Sequence, residues 1–216
     1  MGRSVGALIA KGQTVGIPCR DVNCAEESEK KMLRNLFGAK SARKNARASA
    51  ESLYGSAVDA ARNAAFYSDF GVADTVDGRF EMISLHVYLL LRRLKSAGAE
   101  GKQLSQMLFD TMFDDMDRTL REMGVGDLGV GRRVKEMAKA FYGRIAAYDE
   151  GLEAGTEDTL GLALSRNVFR AEEARAPGVL ALAGYVRAAV RQLDGVENGT
   201  LFAGDVAFSQ PVGAGS

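Results

Sequence analysis

"DGRFEMISLHVYLLLRRLKSAG", residues 77–98, decides the fold. At about 100° per residue, Glu81, Ser84, Tyr88, Arg92 and Lys95 fall on one narrow polar line. Phe80, Met82, Ile83, Leu85, Val87, Leu89, Leu90, Leu91 and Leu94 fill the rest of the circumference. This pattern predicts a helix from about Gly78 to Lys95, packed on several sides near the middle of a bundle, with Asp77 placed to cap it. The uncharged run Met82–Leu91 is about half the ~20 residues that a membrane span needs and ends at Arg92-Arg93, so it reads as a core helix. His86, the only histidine of the chain, projects from the apolar arc beside Met82 and Leu89 and is expected to be buried.

Helical periodicity continues on both sides. Upstream, residues 46–67 place Tyr54, Val58, Ala61 and Ala65 on one face of an alanine-rich helix, and "GVADTVDG" breaks it. Downstream, "SAGAEGK" reads as a loop before a helix from Gln103 to Met123. Its apolar stripe is Leu104, Leu108, Met112, Met116, Leu120 and Met123. Asp110, Asp114 and Asp117 line the opposite face, with Arg118 and Arg121 at the favourable i+4 distance, and Asp115 sits at the stripe's edge. "GVGDLGVG" is an inter-helix turn. Val130, Val134, Met137, Phe141, Ile145 and Tyr148 then mark a helix ending near "YDEG". Two more helices are expected over about 157–170 and 177–193, the second opening on Pro177. In the tail, "TLFAGDVAFSQ" reads as a short extended segment. The fold class is all-α: a single-domain bundle of about six helices over residues 46–195, with a non-helical tail from 196 to 216.

Lys plus Arg and Asp plus Glu both total 28, but they are unevenly spread: residues 1–50 carry a net charge of +6 and the remainder −6. Lys30, Lys31, Arg34, Lys40, Arg43, Lys44 and Arg47 form a run without an acid, suited to phosphate backbones or an anionic membrane surface. Residues 1–45 therefore read as a flexible basic arm. "KKMLRNLFG" looks like a natural beginning, which would put the start at Met32 and make residues 1–31 an extension. Cys19 and Cys24 form no zinc signature without a second pair and imply no disulfide framework, so a reducing compartment is the default.

His86 is the only candidate for acid–base chemistry near neutral pH, but no nucleophile motif, phosphate loop or zinc-type pair accompanies it. A structural role, hydrogen-bonded to a partner such as Asp115, accounts for it better. Haem ligation fails on geometry, because Met82 lies on the same face as His86 and cannot take the opposite axial position. "FDDMD" lacks the spacing and glycine of a calcium loop and reads as a solvated face. The glycines of "MGVGDLGVG" follow a helix and not a strand, so they are not a dinucleotide loop. No metal, cofactor or catalytic constellation is expected, and the chain reads as a non-enzyme. Met107, Met112, Met116 and Met137 are candidates for an adaptable client surface or for plain core.

Four ordered motifs, "DGRFEMISLHVYLLLRRLKSAG", "MFDDMDRTLREMGVGD", "AFYGRIAAYDEGL" and "LALSRNVF", resemble the ubiquinol–cytochrome c chaperone family over about Tyr54 to Asp194. The positions that match are Phe80, His86, Asp115, Met123, Gly124, Val125, Phe141, Tyr142, Tyr148, Asp149 and Gly151. The resemblance implies an all-α assembly factor for ubiquinol–cytochrome c reductase that binds newly made cytochrome b and associates with the ribosome near its exit. It marks His86, Asp115, Met123, Phe141, Tyr142, Tyr148 and Asp149 as client or partner contacts. The basic arm matches no family motif, and the start lacks an Arg/Ser-rich, acid-poor transit peptide. Both departures point to a bacterial cytoplasmic protein, with peripheral membrane contact and no role for DNA. The rival reading is a helical scaffold subunit of a stable complex. The client reading predicts an exposed apolar groove of more than a few hundred Å², and a surface without such a patch would favour the scaffold.

Overall fold

A computed structural model describes residues 44–154 and 157–211, and all the regular structure in them is helical. The elements are α1 (44–61), α2 (Ala65–Ser68), α3 (Val76–Lys95), α4 (Gly98–Glu122), α5 (Asp127–Glu153), α6 (Glu157–Leu164), α7 (Pro177–Asp194) and α8 (Asn198–Ala203). A π-helical turn, Ser165–Phe169, extends α6 and ends on Arg170 in the left-handed region. The six expected helices are present, and α2 and α8 are added to them.

α3 is the axis of the described bundle. It packs against α4, α7 and the π-turn, and Met82, Leu85, Val87, Leu89, Leu90 and Leu94 are fully enclosed. Its wide apolar arc can be removed from water only by neighbours on several sides. The cap is Thr75, not Asp77: the Thr75 hydroxyl accepts from Gly78 N–H at 3.1 Å, and Asp77 falls in the first turn. The end of α3 is tied down by a buried arginine. Arg93 donates to the carbonyls of Leu193 (3.0 Å) and Val196 (2.6 Å) and to Asn198 Oδ1 (2.7 Å), joining α3 to the end of α7 and the start of α8.

Four local expectations are corrected. Helix α1 stops at 61, because Asn63 turns the chain and its side-chain oxygen accepts from Ala65 N–H to start α2. "SAGAEGK" is not a loop: α4 begins at Gly98, which takes φ +76°, and the corner is two residues long. Gly101 allows that corner, since a Cβ there would stand 2.3 Å from the Leu94 carbonyl oxygen. The second half of the expected 157–170 helix is the π-turn. "TLFAGDVAFSQ" forms no strand but completes α8 and continues as irregular chain against the core through Val206. α8 also closes onto α1, where Ser52 Oγ donates to the Gly204 carbonyl at 2.8 Å.

Candidate functional site

His86 is sealed in the core and does no surface chemistry. Its Nδ1 lies 2.7 Å from the Met82 carbonyl oxygen, which can only accept, so Nδ1 carries the proton. Nε2 is then the acceptor and receives the Tyr185 hydroxyl at 2.8 Å. Phe66, Tyr185 and Phe208 surround the imidazole with ring centroids 4.9–5.6 Å away. Burial lowers its pKa to about 4, opposed by the backbone hydrogen bond to Met82. The ring is neutral at pH 7.

Asp115 is not its partner. It accepts from the Tyr54 hydroxyl at 2.8 Å and from Arg118, tying α4 to α1. Arg118 therefore turns to Asp115, three residues back, and not to Asp114, whereas Arg121 does pair with Asp117 at 2.6 Å as its spacing predicts.

The polar line of α3 faces α5 and not solvent. Glu81 is buried and receives a bidentate fork from Arg144, with Nε donating at 2.6 Å. Burial holds the Glu81 carboxyl above its ordinary value, against the pull of Arg144. Two turns further on, Asp149 accepts from the Tyr88 hydroxyl at 2.8 Å and from Arg92 at 2.7 Å, with Lys95 at 3.7 Å. Burial and the adjacent Asp149 push the Tyr88 hydroxyl upward, so it stays a protonated donor.

Beside this ladder a groove of about 480 Å³ opens between α3, α4 and α5. Leu91, Ile145 and Tyr142 supply its apolar surface, and Arg92, Lys95, Lys102 and Asp149 its charged rim. Tyr142 is 59% exposed although it is large and apolar, and it stacks on Phe109 with centroids 5.4 Å apart. Its neighbour Phe141 is fully buried against Phe109 and Phe113. At the α4–α5 turn, Met123 (56%) and Leu128 (97%) are also exposed.

The expected site residues thus divide into four groups. Tyr142 and Asp149 meet at the groove. Met123 stands apart at the α4–α5 turn. His86, Phe141 and Tyr148 are core, and Asp115 ties helices together. Met112 and Met116 are core, while Met107 and Met137 are half-buried against it. Of the basic arm, Lys44 and Arg47 lie in the exposed first turns of α1, with Arg47 donating to Glu51 at 3.1 Å. Lys30, Lys31, Arg34, Lys40 and Arg43, like Cys19 and Cys24, lie outside the described residues. Sequence reasoning missed Arg144, Lys102 and Leu128. For Arg144 a signal existed: a straight polar line on an otherwise apolar helix calls for charged partners on the helix packed against it.

Among the described residues no group of three or more His, Cys, Asp or Glu side chains could hold a metal ion. None of their helices is long and apolar enough to cross a membrane.

A family model described as ubiquinol-cytochrome C chaperone matches residues 68–208. The chain is 29% identical over 129 residues to the ubiquinol-cytochrome-c reductase complex assembly factor 1 of Xenopus laevis, covering 60% of this chain and 64% of that protein. It is 29% identical over 158 residues to the Homo sapiens protein of the same name, covering 72% and 52%. The chain thus spans between about half and two thirds of the length of these curated relatives. Among solved structures, the crystal structure of the Cbp3 homolog from Brucella abortus superposes with a TM-score of 0.72 at 38% identity, over 82% of this chain and 97% of that one.

Proposed function

The chain belongs to the ubiquinol–cytochrome c chaperone family, and from that premise we propose that it is a non-enzymatic assembly factor for ubiquinol–cytochrome c reductase. Its client is newly synthesised cytochrome b, held on the groove between α3, α4 and α5. One observation carries this reading: Tyr142 and Asp149, two of the family-matched positions, converge on an open apolar groove with a charged rim. An apolar membrane protein not yet inserted needs such a surface, and a contiguous apolar patch rimmed by polar residues marks an interaction site. The ladder from α3 to α5 keeps the groove walls in register: Arg92 and Tyr88 both hold Asp149. Sealed in the core, His86 supports a structural and not a catalytic role.

In this reading the arm residues Lys30, Lys31, Arg34, Lys40, Arg43, Lys44 and Arg47 contact ribosomal RNA near the exit, where the client emerges. Identity of 38% to a bacterial relative, against 29% to animal ones, supports a place in the bacterial cytoplasm beside the inner membrane.

A photo-crosslinking amino acid at position 142 tests the groove in cells with nascent chains held on ribosomes. Cytochrome b is the expected crosslinked product. A stoichiometric stable subunit in its place, with no cytochrome b, would make the chain a scaffold and overturn the reading.

A further inference from the structure

Helix α5 presents one unbroken exposed line. Leu128, Arg132, Lys135, Lys139, Tyr142 and Ala146 all face solvent, and at about 100° per residue they lie within roughly 40° of a single generator of the helix. From Leu128 to Tyr142 that line runs about 21 Å at 1.5 Å per residue. Arg132, Lys135 and Lys139 pair with no carboxylate among the described residues, unlike Arg121 and Arg144 on the same hairpin, which are engaged. Glu136, the acid nearest in sequence, stands about 80° round the helix from Leu128. At the head of the line Leu128 is 97% exposed, and Met123 precedes it on the turn. At the other end Tyr142 passes into the groove rimmed by Lys95 and Lys102.

We propose that this face of α5 is a docking surface for an anionic phospholipid bilayer, with Arg132, Lys135 and Lys139 at the headgroups and Leu128 entering the acyl boundary. Charge complementarity selects the partner: three uncompensated cations on a straight helix match a flat negative surface. The apolar terminus chooses bilayer over nucleic acid. A leucine wholly in water gains nothing from a phosphate backbone but is stabilised among acyl chains, and no aromatic side chain lies between the cations to stack on bases. Lysine and arginine stems can lie along the interface while their heads reach phosphates. The inference adds to the reading above and relies on it only for why a membrane should be near. Vesicle binding needs no client, so the two fail separately.

Co-sedimentation of the full chain with vesicles of phosphatidylcholine alone, or with one quarter phosphatidylglycerol, tests it. Binding is expected to the anionic vesicles only, weakening with salt. At roughly five-fold per cation, the combined Arg132→Gln, Lys135→Gln and Lys139→Gln protein should bind them on the order of 100-fold more weakly. Leu128→Ser should lower binding roughly ten-fold. All four α5 side chains are exposed, so these variants are expected to melt like the wild type. Equal vesicle binding by wild type and triple variant overturns the proposal. So does a Leu128→Ser protein unchanged on vesicles when the triple variant loses affinity for a uridine-rich RNA oligonucleotide, which would make the face an RNA contact.

Discussion

The Tyr185 hydroxyl donates to His86 Nε2 at 2.8 Å from a position 99 residues further along the chain. That bond fixes α7 against α3 and completes the valence of the one imidazole in the protein. Burial of that ring also makes the core sensitive to acid. The His86 pKa is about 4 in the fold, against 6.5 for an unperturbed side chain. The unfolded chain therefore takes up a proton that the native state refuses. Stability is complete above about pH 6.5 and is lost as the pH falls toward 4, by about 3 kcal/mol in total. Urea unfolding at intervals over this range should show that slope. His86→Gln, which cannot titrate, should flatten it. A wild-type curve as flat as that of the variant would mean the imidazole is not the group involved.

Glu81 and Arg144 test whether the α3–α5 ladder is a structural necessity. Arg144→Met leaves the Glu81 carboxylate buried and uncompensated, at a cost of about 3–5 kcal/mol near neutral pH. The Glu81 pKa is already raised, and without Arg144 it should rise further, so the native state binds a proton more readily than the unfolded chain. The penalty of the substitution should therefore shrink as the pH is lowered, because protonation removes the buried charge. Adding Glu81→Gln should recover much of the lost stability. Chemical denaturation of the three proteins at two pH values measures both effects, and a pH-independent penalty would contradict the assignment.

Much of this fold is legible in the sequence because helix period and burial are local properties. The apolar stripe of α5 and the wide apolar arc of α3 each predict their own packing. Partners are not local. Asp115 shares its helix edge with Leu104 and Leu108, which places it near the core but does not say that Tyr54 will reach it before His86 does. Likewise "SAGAEGK" has a loop's composition. Only the close approach of Gly101 to the Leu94 carbonyl shows why glycine serves a tight corner there and not a linker. The groove is legible only in part. Tyr142 and Asp149 come from the family resemblance, whereas Leu91 and Lys102 join them through the packing of α3 and α4 against α5.

Gly151 sets the distance between α5 and α6. A Cβ there would stand 2.7 Å from Leu160 Cα and 3.0 Å from its backbone nitrogen, atoms that cannot turn aside as a flexible side chain can. Gly151→Ala should force the two helices apart at a cost of about 1–3 kcal/mol, visible as a lower midpoint in thermal unfolding. Gly143→Ala, on the same helix with open space around it, should be neutral or slightly stabilising, because alanine favours helix by about 1 kcal/mol over glycine. Equal effects at both positions would show that helix propensity and not contact governs them.

Phe141 and Tyr142 are adjacent aromatic residues with opposite environments, one fully buried and the other 59% exposed. They allow client binding to be separated from folding. Phe141→Ala should cost about 3–5 kcal/mol through the cavity it leaves, and should lose cytochrome b only because less folded protein remains. Tyr142→Ala removes an exposed ring stacked on Phe109 and should cost no more than about 1 kcal/mol, yet it strips the aromatic wall from the groove. Recovery of nascent cytochrome b with the tagged Tyr142→Ala protein should therefore fall well below wild type while its melting curve barely moves. Tyr142→Phe, which keeps the ring, should restore recovery. Lys102→Glu, at the rim, should alter the salt dependence of recovery rather than abolish it, as expected of an exposed charge. If Tyr142→Ala retains cytochrome b at the wild-type level, the groove is not the client site, and the exposed Met123 and Leu128 at the α4–α5 turn become the surface to test.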